Sequence, residues 1–168
     1  MTEDNAAIVI DSERAANVLS ESAPQVFADM TFMDAVPVSV SWGPKADTVP
    51  AAQGAAQRVH IAIDMLKPLS CRLELEFPRS LGDRINETLY ADTAELVDAG
   101  DDSTLEMLNV MAGSFLSTYF GSGTSFKLEL PFFIFGASEV SGPAIARIEL
   151  EADGIPATLT LRSIRYRY

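Results

Sequence analysis

The chain has 168 residues, 48% of them hydrophobic and 21% charged, a size and balance that fit one globular domain with a single core and exclude a disordered chain. Its 24 acidic and 12 basic residues leave a net charge of −12, which opposes polyanions, so nucleic acid is not an expected partner. The start, Met1 to Asn5, has no basic signal-peptide region, and no apolar run reaches the roughly 18 residues of a membrane span, so a cytoplasmic protein with no membrane partner is expected.

One domain is expected over residues 1–168, with 1–11 loosely ordered. Residues 12 to 33 repeat apolar groups at helical spacing, through Ala15, Ala16, Leu19, Ala23, Val26, Phe27, Met30 and Met33. Pro24 falls inside that pattern and predicts either a kink or a second helix capped by Ser22. Val36, Val38, Val40 and Trp42 then alternate with polar or proline positions, as in a half-buried strand, and 43 to 57 reads as a loop. Two further alternating runs, Val59 to Ile63 and Cys71 to Phe77, flank Pro68 and predict an antiparallel hairpin.

A helix over 79 to 91 follows, then an acidic stretch from 92 to 101, then a second long helix over 102 to 120. A strand through Phe126, Leu128 and Leu130 leads into a turn-rich segment from Pro131 to Pro143. The last hairpin turns at Asp153-Gly154, a pair suited to the two positive φ angles of a type I′ turn. At Arg162 and Ser163 the alternation slips by one residue, which predicts a bulge. Alternation in nearly every strand implies one covered sheet face and one wetter face. The expected fold class is therefore α+β, with a mostly antiparallel sheet and long helices packed together on one side.

Familiar reactive sites are missing from the sequence: it has no glycine-rich phosphate loop after a strand, no Cys or His metal set and no GxSxG elbow. The lone cysteine, Cys71, shares the alternation of Leu73, Leu75 and Phe77 and reads as core. The lone histidine, His60, reads as a residue of the opposite sheet face, and Glu74 and Glu76 as its solvated side. Arg162, Arg165 and Arg167 have the spacing of a strand's solvated face.

The helix over 102 to 120 is different. Leu105, Leu108, Met111, Ala112, Phe115, Leu116 and Tyr119 form a packing stripe, and Glu106, Asn109 and Gly113 lie off it as a short polar strip ending in a notch. Asn and Gly are both weak helix formers, so context or function has to outweigh them. Two readings of Glu106 are open: a surface carboxylate, or the last residue of a capping box, Ser103-Thr104-Leu105-Glu106, folded back on the N-cap amide. Gly113 either leaves room for a partner or packs closely on a neighbouring helix.

The pattern Asp102-x-x-x-Glu106-x-x-Asn109-x-x-x-Gly113, followed by Leu130-Pro131 and Ile134-Phe135-Gly136, resembles the CheX and CheC family of chemotaxis phosphatases. The order of elements from about residue 15 matches as well, including the strand Leu73 to Phe77 that runs through Pro78 into a helix. The resemblance implies a CheC-like fold and a phosphatase acting on the phosphorylated aspartate of a CheY-like receiver domain, in chemotaxis or other two-component signalling. Carried over, Glu106 is the docking carboxylate, Asn109 orients the attacking water, and Asp102 and Gly113 contact the partner. Mg²⁺ is expected in the receiver, and no cofactor or metal is expected in this chain. CheC proper has two such motifs; here the first helix reads Glu21-Ser22-Ala23-Pro24, with proline at the asparagine position, so a single site is implied, as in CheX. The resemblance also implies a homodimer formed through the sheet, with the C-terminal hairpin as its exposed pairing edge. The alternative is a catalytically silent relative that only binds or oligomerises.

Overall fold

A computed structural model describes residues 9–47, 57–89, 100–136 and 141–164, with backbone only at 100–102 and 141. The chain runs α1 (Ser12–Thr31), β1 (Ala35–Trp42), α2 (Pro44–Asp47), β2 (Arg58–Lys67), β3 (Cys71–Pro78), α3 (Arg79–Leu89), α4 (Gly100–Phe120), β4 (Lys127–Leu128), β5 (Phe132–Phe133), β6 (Ser141–Ala152) and β7 (Ile155–Ile164). The strands form one antiparallel sheet in the order β1-β6-β7-β3-β2-β4, with β5 also pairing β2. One face, through Ile61, Ile63, Leu73, Leu75, Ile148, Leu150, Leu159 and Leu161, shares a single core with α1, α3 and α4. The α+β class with its long helices on one face is therefore the observed architecture. No helix among the described residues is long and apolar enough to cross a membrane.

Helix α1 is one element from end to end. Asp11 caps it by accepting the Arg14 amide at 3.0 Å, and Pro24 lies inside it. Ser22 is therefore an interior residue, and no second helix begins there. Burial of Leu19, Ala23, Val26 and Phe27 outweighs the hydrogen bond that proline removes. The helix ends on Phe32, whose φ of 56° is unusual for an aromatic residue and whose side chain is exposed.

The alternation expected across β1 is split. Val36 pairs with Glu151, Pro37 with Leu150 and Ser39 with Glu149, so Val38 is an extra residue in a bulge. An inserted residue reverses the facing of everything on one side of it. Val40 thus packs on the core while Val36 and Val38 are exposed. A second difference lies at the other edge: β4 holds only Lys127 and Leu128, Leu130 and Pro131 step off the ladder, and β5 rejoins β2 inside the segment read as turns. Proline has no amide hydrogen to give the ladder there.

The last hairpin forms as expected, with Asp153 and Gly154 at φ 48° and 79°. Its bulges lie on β6, not on β7: the register shifts between Ser141 and Ala144 and between Ala144 and Ala146, opposite Ile164 to Leu161. Gly142 allows this, because a Cβ there would stand 2.5 Å from the Ser163 carbonyl oxygen. The hairpin is also not an edge. β1 covers β6 from Ala146 to Ala152 and β3 covers β7, so the hairpin is not the exposed pairing edge expected from the sequence. Residues 1–8, the bulk of the 92–101 stretch, Arg165 and Arg167 lie outside the described residues.

The second sheet face is polar but drier than the alternation implies. Glu74 is buried and lies between His60 Nε2 at 3.3 Å and Arg162 Nε at 3.0 Å. Arg162 also donates to Asp47 at 3.3 Å, Arg72 to Asp64 at 2.6 Å, and Arg58 pairs with Glu76. Asp64 and Arg72 face each other across β2 and β3, and the other pairs reach diagonally between strands or, for Asp47, from α2, so burial leaves each charge with a partner. Burial by itself would raise the Glu74 carboxyl, but the His60 hydrogen bond and the Arg162 charge and hydrogen bond outweigh it and hold it below its ordinary value.

Candidate functional site

α4 carries the polar strip, and its position is set from both sides. At its C-terminal end the Tyr119 hydroxyl accepts the Asp11 amide at 2.9 Å, the Tyr119 carbonyl accepts Arg14 Nη2 at 2.7 Å, and the Arg14 guanidinium lies 4.4 Å over the Tyr119 ring. These contacts lock the start of α1 to the end of α4. Along its length α4 buries Met107, Leu108, Met111, Ala112, Phe115 and Leu116 in the core. The packed stripe is turned slightly from the one expected: Ser103, Thr104 and Met107 are buried, whereas Leu105 is only half-buried.

Opposite that stripe, Glu106 is exposed and Asn109 and Gly113 are half-buried. Neither the Glu106 nor the Asn109 side chain makes a hydrogen bond or ion pair with any described residue. The capping-box geometry for Glu106 is absent, because α4 begins at Gly100 and places Ser103 inside the helix. A cap at Ser103 would require the helix to start after it. Asp102 lies in the first turn of α4, and its side chain is outside the described residues.

Gly113 is likewise resolved in favour of open space: a Cβ built on it would meet nothing within 4 Å. No neighbouring helix packs there among the described residues. The composition of the strip therefore leaves a carboxylate and an amide about one turn apart on a rigid helix, beside a gap. Val110, 37% exposed and four residues on from Glu106, belongs to the same surface and was not singled out from the sequence. The available signal was its position off the packing stripe.

No group of three or more His, Cys, Asp or Glu that could hold a metal ion occurs among the described residues. Cys71 is buried beneath the sheet and its thiol is pushed up to about 12 by burial, with the Asp64 charge adding to the effect, so it is no nucleophile. His60 is engaged with Glu74 on the far side of the sheet from the helices, away from Glu106 and Asn109. The α4 face can supply a charge contact and an amide donor and acceptor to a bound partner.

The sequence matches no protein-family model and no curated protein. The structure matches solved chemotaxis proteins at low identity. CheX from Desulfovibrio desulfuricans aligns over 88% of this chain and 97% of its own, with 12% identity and a TM-score of 0.66. CheX from Vibrio vulnificus aligns over 89% and 98%, with 16% identity and a TM-score of 0.66. CheX in the CheX–CheY–BeF₃–Mg²⁺ complex from Borrelia burgdorferi aligns over 94% and 100%, with 15% identity and a TM-score of 0.64. The chain therefore has the CheX and CheC-like fold over nearly its whole described length.

Proposed function

We propose that this chain is a phosphatase for the aspartyl phosphate of a CheY-like receiver domain, acting in the cytoplasm on a chemotaxis or other two-component pathway. The observation that carries this reading is the pair Glu106 and Asn109: both lie on the open face of a firmly packed helix, and neither has an internal partner among the described residues. The likeness to CheX, which in Borrelia burgdorferi forms a complex with CheY, BeF₃ and Mg²⁺, supports a receiver as the partner.

In this reading Glu106 pairs with a cationic side chain of the receiver and fixes the docking geometry. Asn109 enters the receiver site and holds a water in line with the acyl phosphate. The water oxygen bonds phosphorus as the bond from phosphorus to the aspartyl oxygen breaks, giving inorganic phosphate and a free aspartate. An acyl phosphate already has a good leaving group, so positioning contributes more than covalent chemistry. A neutral amide does this without repelling the phosphoryl charge, which a second carboxylate would. Mg²⁺ held by the receiver would neutralise the phosphoryl oxygens. The gap at Gly113 admits the receiver's loops, and Asp102 adds a contact at the helix start.

The test is phosphoryl loss from each purified phosphorylated receiver of the host, with Mg²⁺, in the presence and absence of this protein. Faster loss from at least one receiver supports the reading. Binding to a receiver with no acceleration from any of them identifies a catalytically silent module instead. A homodimer is part of the same proposal, formed through β1, the β4 and β5 edge, the sheet face away from the helices, or a helix face. Sedimentation velocity reads that directly.

A further inference from the structure

Away from α4, the start of β2, the beginning of α3 and the β5 strand line an open pocket of about 210 Å³. The Arg79 amide donates to the Gln57 carbonyl at 2.9 Å and the Ile134 amide to the His60 carbonyl at 2.9 Å, so its three walls are bonded to one another and the pocket is preformed. Two of its polar side chains are already engaged: Arg58 with Glu76, and His60 with Glu74. Arg79 lines the same pocket, and its guanidinium has no acceptor among the described residues. Val59, Phe133 and Phe135 also line it, the two phenyl rings 6.1 Å apart and Phe135 89% exposed.

We propose that this pocket binds a small organic carboxylate bearing one apolar ring. Arg79 supplies a planar fork of donors that matches a carboxylate in two parallel hydrogen bonds. In a chain of net charge −12, an uncommitted guanidinium at a concave site gives an anion one of few favourable places to rest. The exposed phenyl wall gains by covering with an apolar group, and ring pairs favour offset or tilted contact. An apolar cavity of about 150 Å³ accepts benzene, so a pocket of about 210 Å³ has room for a ring and a carboxylate. The site is separate from the α4 face and does not depend on the phosphatase reading.

The test is a ¹H–¹⁵N NMR titration of the intact protein with phenylacetate, and in parallel with acetate, which lacks the ring, and benzyl alcohol, which lacks the charge. Phenylacetate should give saturable shifts at the amides of Arg58, His60, Arg79 and Phe133 and bind more tightly than either control. Arg79→Gln should weaken phenylacetate by about tenfold or more while leaving benzyl alcohol unchanged, and Phe135→Ala should weaken both ring compounds. The unperturbed remainder of each variant's spectrum reports that it is folded. The proposal is overturned if phenylacetate gives no saturable shift, binds no better than the controls, perturbs another region, or binds Arg79→Gln equally well.

Discussion

Replacing Gly113 with alanine separates folding from docking. Gly113 is interior to α4 and its added Cβ would meet nothing within 4 Å, so alanine brings no clash and loses no contact. Glycine in a helix interior is about 0.8 to 1.0 kcal/mol less favourable than alanine, because the unfolded glycine has more backbone freedom to lose. Gly113→Ala should therefore stabilise the protein by roughly that amount, a rise in melting temperature of about 2 to 4 °C for a domain of this size. Urea unfolding followed by circular dichroism should show a higher midpoint with an unchanged slope. Against a phosphorylated receiver the same variant should be slower, since the methyl group stands in the gap that the partner's loops enter. A destabilised Gly113→Ala protein would refute the reasoning about open space. A stabilised one with full activity would remove Gly113 from the docking surface.

The opposite outcome is expected for Gly142→Ala, whose Cβ would stand 2.5 Å from the Ser163 carbonyl oxygen; a loss of about 1 to 3 kcal/mol should appear in the same unfolding assay. Glu74 gives a pH prediction. Its folded carboxyl is held below the ordinary 4.5, so the unfolded chain takes up the proton first as pH falls. Its contribution is present above that value and is lost as pH drops through the lower folded one, and Glu74→Gln should flatten the acid limb of a stability profile. Cys71, pushed up to about 12 and fully buried, should remain unlabelled by a thiol reagent at neutral pH and react fully in denaturant.

Local signals identified most of the fold. The Asp153-Gly154 turn, the hairpin through Pro68 and the helical repeat of α1 are each settled by neighbours within a few residues. What the sequence did not reveal depends on distant partners. The bulge at Val38 exists only relative to Leu150 and Glu149, and the apolar alternation of β1 runs through it without interruption. Two phenylalanines at 132 and 133 become a strand because β2 has a free edge. Glu74 and Glu76 read as solvated because their partners, Arg162, His60 and Arg58, lie on other strands or far along the chain. The polar strip on α4 was legible from helical spacing alone. Whether Glu106 was capping the helix was not, since that turns on α4 beginning at Gly100, upstream of the Ser103 pattern.

The most direct test of the proposed chemistry is Asn109→Ala, read in single turnover with the phosphorylated receiver held by saturating phosphatase and Mg²⁺. The Asn109 side chain has no hydrogen-bond partner among the described residues, so its loss should leave stability and receiver binding nearly unchanged. The rate of phosphoryl loss in the complex should fall by about 10²-fold or more, as expected for removal of a group that positions the attacking water. Glu106→Ala should instead weaken the complex first. An Asn109→Ala protein that binds the receiver and dephosphorylates it at the wild-type rate would contradict the account.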